Sequence, residues 1–170
     1  MTALELAVGL AIVALAVALG VPSLREHGLN QRMKAAVSTF FSDLALARNT
    51  AISRNARTVA CPAWSDGGCA AGAEWQDGWL VFEDRNGDRE WQAGEPRLRR
   101  SGALEQLRIA GSPHRNRLRF FPDGSAPGSN ATFTFCDVRG VAHARRVIVS
   151  ASGRIRQTRP GEAPATACDS

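Results

Sequence analysis

Near the C-terminus, the run Ser152-Gly153-Arg154-Ile155-Arg156-Gln157-Thr158-Arg159 places two guanidinium groups two residues apart, directly after a glycine. Glycine reaches positive φ without a Cβ penalty, so Gly153 marks a tight turn. In the extended chain that follows, Arg154 and Arg156 project to the same side. A guanidinium is a planar fork of N–H donors that matches phosphate oxygens, so this spacing predicts phosphate capture. The local charge agrees: between Val138 and Gly161 there are six arginines (Arg139, Arg145, Arg146, Arg154, Arg156 and Arg159) and no acid. On charge grounds alone, Arg145, Arg146 and Arg159 extend the patch. Binding of this kind ignores base sequence and weakens with salt, log K falling by about 0.9 per neutralised phosphate as log salt rises.

Two other constellations invite chemistry. Asp84, Asn86, Asp88, Glu90, Gln92 and Glu95 stand at the spacing of a calcium loop with Glu95 in twelfth place. The sixth place, normally glycine, holds Arg89, whose side chain opposes the sharp turn and brings a cation to the site. A solvated hairpin turn is the competing reading and the better one. Cys61, Cys69, Cys136 and Cys168 make an even count, and four cysteines allow three pairings. Cys61 with Cys69 is favoured because it closes a short Gly-rich loop, and Cys136 with Cys168 because it pins a Pro- and Gly-containing tail. Zinc is the rival, but no Cys-x-x-Cys occurs and His27, His114 and His143 are scattered. Trp64, Trp75, Trp79 and Trp91 offer either base-stacking platforms or core packing, and Trp79 in its apolar run belongs to the core. No nucleophile signature accompanies the histidines and no Walker-type loop is present, so neither an enzyme, a metal nor a cofactor is expected.

These groups need elements to hold them. The chain opens with an apolar run from Leu6 to Val21 followed by Pro22, just reaching the length of about 20 residues that a membrane span needs. A carboxylate in such a segment costs roughly 2.5–3.5 kcal/mol, which makes Glu5 a functional candidate. The nearest cation is the α-amino group of Met1, on its own helix or a neighbour's. No Lys or Arg precedes Arg25, and no small-residue cleavage site follows, which argues against a secretory signal peptide. From Leu24 to Ile52, apolar residues recur three or four apart, the stripe of an amphipathic helix. The two halves read as one helix, with Gly20, Pro22 and Gly28 as the cheapest place to bend. Beyond it come short alternating runs at 57–61, 78–83, 97–100, 106–109, 117–121, 131–137, 144–151 and 154–158, separated by turns such as Asn86-Gly87 and Pro122-Asp123-Gly124. Arg115, Arg117 and Arg119 alternate along one of them and share its face. The fold class is α+β, a long N-terminal helix packed on antiparallel sheet. Its parts are a transmembrane half (1–24), an amphipathic half (25–55) and a β-rich head with a basic C-terminal region (56–170).

Met1-Thr2-Ala3-Leu4-Glu5-Leu6, the apolar run and Pro22 resemble the mature N-terminus of type IV pilins and type II secretion pseudopilins. The block from Trp75 to Arg99 is similar to the strand, turn and strand of the GspH/FimT/FimU branch. The resemblance implies a pilin-like fold, Glu5 pairing with the terminal amine of an adjacent subunit, and Pro22 as the helix-bending proline. It also implies a basic leader removed before Met1 by a leader peptidase and a methylated new amine. The sequence starting at Met1 then corresponds to the mature form or to a chain lacking its first residues. Gly-Arg-x-Arg at Gly153 to Arg156 resembles the C-terminal motif of the FimT kind of minor pilin, which binds DNA in natural transformation. That likeness implies a DNA-contacting loop, held in place by a Cys136–Cys168 bond. The implied partners are DNA, other major and minor pilins, and the inner membrane before assembly, with the head periplasmic or extracellular. The other implied role is a FimU-like or GspH-like structural subunit, at a fibre tip or in initiation, that does not meet DNA.

Overall fold

The computed structural model describes residues 2–64, 67–112, 114–164 and 167–168, with the backbone alone at 16, 17, 19, 20 and 22. Two compact units result, Met1–Lys34 and Ala35–Ser170. Helix α1 runs from Ala3 to Ser53. It starts at a capping box: the Thr2 amide donates to Glu5 Oε2 at 2.7 Å and the Glu5 amide donates to Thr2 Oγ1 at 3.4 Å. Glu5 Oε2 thus caps its own helix start, while Met1 lies outside the described residues. The helix ends where Asn55 takes φ 51 and the Ala56 amide reaches back to Ala51 O at 3.1 Å, a Schellman-type stop that asparagine tolerates.

At the place cheapest to bend or melt, no turn is melted: the backbone is helical through Gly20, Pro22 and Gly28. Proline removes one amide from the ladder and glycine costs about 1 kcal/mol, and the helix on either side is long enough to carry both. The side chain of Pro22 lies outside the described residues. In the first unit, Leu4, Leu10, Ile12, Leu15 and Leu24 are exposed. Among the described residues, no helix is long and apolar enough to cross a membrane.

In the second unit the buried stripe of α1 is Ala36, Val37, Phe40, Leu44, Ala47 and Ala51, one face at helical spacing. Against it stand eight strands: β1 (Thr58–Pro62), β2 (Trp79–Glu83), β3 (Arg97–Ser101), β4 (Arg108–Gly111), β5 (Leu118–Phe120), β6 (Ala131–Cys136), β7 (Arg145–Val149) and β8 (Ile155–Gln157). They form two four-stranded sheets, β3-β2-β1-β5 and β4-β6-β7-β8, with every pairing antiparallel. The architecture is therefore the α+β arrangement expected, with the sheet divided in two. Phe40 binds both halves together. Its ring meets Trp79 of β2 at 5.0 Å, Phe133 and Phe135 of β6 at 4.9 and 5.5 Å, and Trp75 of a one-turn 3-10 helix at 5.4 Å, all edge-to-face. Asp43 shares the buried stripe and accepts from Trp79 Nε1 at 2.9 Å, with Arg99 Nε 3.2 Å away. Burial dominates there and pushes its carboxyl above the ordinary range despite both partners.

Both strands at the centre of the first sheet are buried on both faces. One face meets α1, where Thr58 Oγ1 donates to Ala47 O at 2.9 Å. The other gathers Val59, Cys61, Ala63, Leu80 and Phe82 into a small cluster covered by Cys69 and Trp91. The Cys61–Cys69 disulfide ties the covering loop to β1. Replacing both cysteines by serine is expected to cost ~2.5 kcal/mol, the loop-closure term for so short a loop. A urea titration of the full chain should show it, and an unchanged midpoint would refute this account of the loop.

Candidate functional site

The Gly153 turn joins β7 to β8. The Gly153 amide donates to Ser150 O at 2.8 Å and the Ser150 amide to Arg154 O at 3.0 Å, which with Gly153 at φ 75 makes a tight turn followed by a bulge. Ser150 Oγ takes the Arg154 amide at 3.2 Å and meets Ser152 Oγ at 2.9 Å, so the turn's polar groups are satisfied locally. The turn lies against a second turn at 122–125. A Cβ placed on Gly153 would stand 1.8 Å from Gly124 O, the Ala126 amide donates to Ala151 O at 2.8 Å, and Arg48 Nε of α1 donates to Gly124 O at 2.9 Å. Helix, glycine turn and arginine turn are thus stacked and cross-bonded. This clamp holds the loop from the helix side. The Cys136–Cys168 bond instead joins the tail to β6.

The structure divides the predicted arginines. Arg154 and Arg156 are exposed and line one open groove of about 390 Å³ with Ile148, Ser150 and Ser152. Neither guanidinium has a protein acceptor among the described residues. Arg156 pairs across the ladder with Ile148 on the face away from Val147 and Val149, the buried side. Arg146 shares that outer face, but its guanidinium is drawn to Glu162 O of the tail. Arg145 falls in the alternation of Val147 and Val149, opposite Phe135, and so on the other face. Arg159 is exposed beyond the end of β8. Arg139 is bound to Asp137 at 2.6 Å. Burial acts against the Asp137 charge, yet the hydrogen bonds from Arg139 outweigh it and hold the carboxyl below its usual range.

The acidic loop is a closed hydrogen-bonded turn. Asp84 Oδ1 accepts the Gly87 amide, Asn86 Oδ1 the Asp88 amide and Asp88 Oδ1 the Glu90 amide, while both Glu95 oxygens accept backbone amides, of Arg85 and Gln92. Arg89 does not prevent the sharp turn; it adopts φ 67 itself. Glu90 is paired with Arg117 at 2.7 Å, and no cluster of three or more metal-ligating side chains is gathered among the described residues. Along β5, Arg119 lies over the Phe121 ring at 4.6 Å and burial lowers its pKa. Trp75 and Trp79 are core residues, Trp91 packs under the Arg97 guanidinium, and Trp64 is 52% exposed.

Sequence reasoning missed Gly124 and Arg48. Pro122-Asp123-Gly124 signals a turn, but nothing local shows that Gly153 rests on it.

A family model described as type II transport protein GspH matches residues 36–153. No curated protein matches the sequence. Among solved structures, the type IV minor pilin FimU of Pseudomonas aeruginosa is similar with TM-score 0.64 and 20% identity, over 79% of this chain and 93% of that one. The minor pseudopilin EpsH of the type II secretion system of Vibrio cholerae is similar with TM-score 0.58 and 13% identity, over 80% of this chain and 99% of that one.

Proposed function

Because the chain belongs to the GspH family of minor pilins and pseudopilins, we propose that it is a structural fibre subunit whose head captures DNA. Gly153, Arg154 and Arg156 form the contact loop, and Arg159 is exposed past the far end of β8. The observation that carries this reading is the pair of exposed guanidiniums, without a protein acceptor among the described residues, presented by a turn that is itself cross-bonded to the helix. Donors held in place lose little entropy when a phosphate arrives. Both arginines lie just past the segment the family model matches, so they stand on their own geometry. Guanidinium contacts to phosphate carry no base information, so capture is electrostatic and independent of sequence.

In this reading, residues 1–24 anchor the subunit in the inner membrane until it joins other major and minor pilins, with Glu5 meeting the terminal amine of a neighbour and Pro22 in the anchor's helix. A leader peptidase and a methylase prepare Met1. The assembled fibre carries the head to the cell surface, where retraction draws DNA inward for natural transformation.

The test is a gel-shift titration of the full chain in non-ionic detergent against a linear duplex. Arg154→Ala and Arg156→Ala are each expected to weaken binding by about ten-fold or more, the worth of a charge-assisted hydrogen bond. The double variant should flatten the salt slope by about 1.8, from two phosphates lost. The likeness to FimU and EpsH favours a second reading, a structural tip or initiation subunit that does not bind DNA. It predicts no shift at all, or one indifferent to these changes.

A further inference from the structure

Arg154 is a shared wall. On one side lies the groove of Ile148, Ser150, Ser152 and Arg156. On the other lies a second open groove of about 280 Å³, lined by Arg154 and Ile155 with Phe41, Ala45, Arg48 and Asn49 of α1. Asn49 is exposed, and its side-chain amide has no protein partner among the described residues. Arg48 spends Nε on Gly124 O, and its terminal nitrogens hold no other protein acceptor among the described residues. Asp123, next to Gly124 in the chain, is turned into its own loop, accepting the Ser125 amide at 2.9 Å and the Ser125 hydroxyl at 2.6 Å.

We propose that the nucleic-acid track crosses Arg154 and continues onto α1, where Arg48 and Asn49 take a further phosphate. This rests on the DNA-binding reading above and gives the track a direction. Charge along the sequence points instead toward Arg145 and Arg146, but one lies on the opposite face and the other is drawn to the tail carbonyl of Glu162. The helix side offers donors without acceptors, next to an arginine that already faces both grooves. Arg48 is also a positioning residue, because its Nε bond holds the glycine turn on which Gly153 rests. Asn49 carries no such duty and is therefore the residue to change.

The experiment uses the full chain, a linear duplex of mixed sequence and a salt titration. Lys and Glu are both good helix formers, so Asn49→Lys and Asn49→Glu should preserve α1. If the track passes Asn49, the lysine variant neutralises about one more phosphate. It then binds about eight-fold tighter near ~0.1 M salt, with a salt slope steeper by about 0.9. The glutamate variant binds more weakly than the parent chain, and the Asn49 side-chain amide resonances of the parent move when duplex is added. If both variants bind like the parent while Arg154→Ala weakens binding, the track ends at Arg154 and the inference is overturned. If Arg154→Ala has no effect, or the parent does not bind, the underlying reading fails and this inference falls with it.

Discussion

Gly153→Ala is expected to abolish the DNA shift while leaving every arginine in place. The new Cβ would stand 1.8 Å from Gly124 O, 2.9 Å from Gly124 C and 3.1 Å from Arg48 Nε. The first two are backbone atoms, so no flexible side-chain end can swing away. Gly124 itself is held by the Arg48 bond, and the two turns are joined again by the Ala126 amide on Ala151 O. An L-residue at φ 75 adds about 1–2 kcal/mol of backbone strain, and overfilling a packed contact costs typically about 1–3 kcal/mol. A total of ~2–5 kcal/mol is expected, relieved in part by the turn lifting off the helix. Arg154 and Arg156 would then lose their common orientation. Arg154→Ala, in contrast, should reduce binding with little change in stability, because that side chain is exposed. Urea midpoints and gel shifts on the same preparations separate the two effects, and a Gly153→Ala chain with parental binding and midpoint would refute the clamp.

The largest loss of stability is expected from Phe40→Ala. The ring is fully buried and is the one described side chain in edge-to-face contact with aromatic residues of both sheets and of the 3-10 turn. Truncation removes its transfer free energy and leaves a cavity whose walls belong to different elements, a situation that costs about 3–5 kcal/mol. The four edge-to-face pairs are part of that loss and place this site at the upper end of the range. Phe41, the next residue on the helix, is only half-buried, and Phe41→Ala should cost much less. Tryptophan fluorescence during urea unfolding reports both, since Trp75 and Trp79 touch the Phe40 ring. Equal losses for the two variants would show that the core is not organised around Phe40.

Much of this molecule was legible in the chain because local rules act locally. The spacing of Val37, Phe40, Leu44, Ala47 and Ala51 is a helix stripe whatever it packs against, and each of the eight strands lies within a few residues of an alternating run bounded by turn residues. Gly153 had to turn, and Arg154 and Arg156 had to share a side, from backbone geometry alone. The same rules did not reveal that the strands part into two sheets, because pairing Leu118–Phe120 with β1 and Arg108–Gly111 with β6 is a contest among distant segments of similar pattern. Arg89 shows a local preference overridden: the hydrogen bonds of its loop hold a non-glycine residue at φ 67.

By itself, then, the sequence determined an apolar N-terminal helix, an amphipathic continuation, a strand-rich head and a guanidinium pair behind a glycine, since each follows from period, propensity and charge over a few neighbouring residues. Only the tertiary structure decided which arginines are available. Arg139 is consumed by Asp137 and Arg146 is drawn to Glu162, Arg145 is turned to the other face, and Arg154 and Arg156 are left open above Gly124 and Arg48. The reason is that availability depends on what lies across space. A guanidinium carries the same charge wherever it stands, but it can hold a phosphate only where the fold supplies no nearer acceptor and keeps the backbone beneath it still.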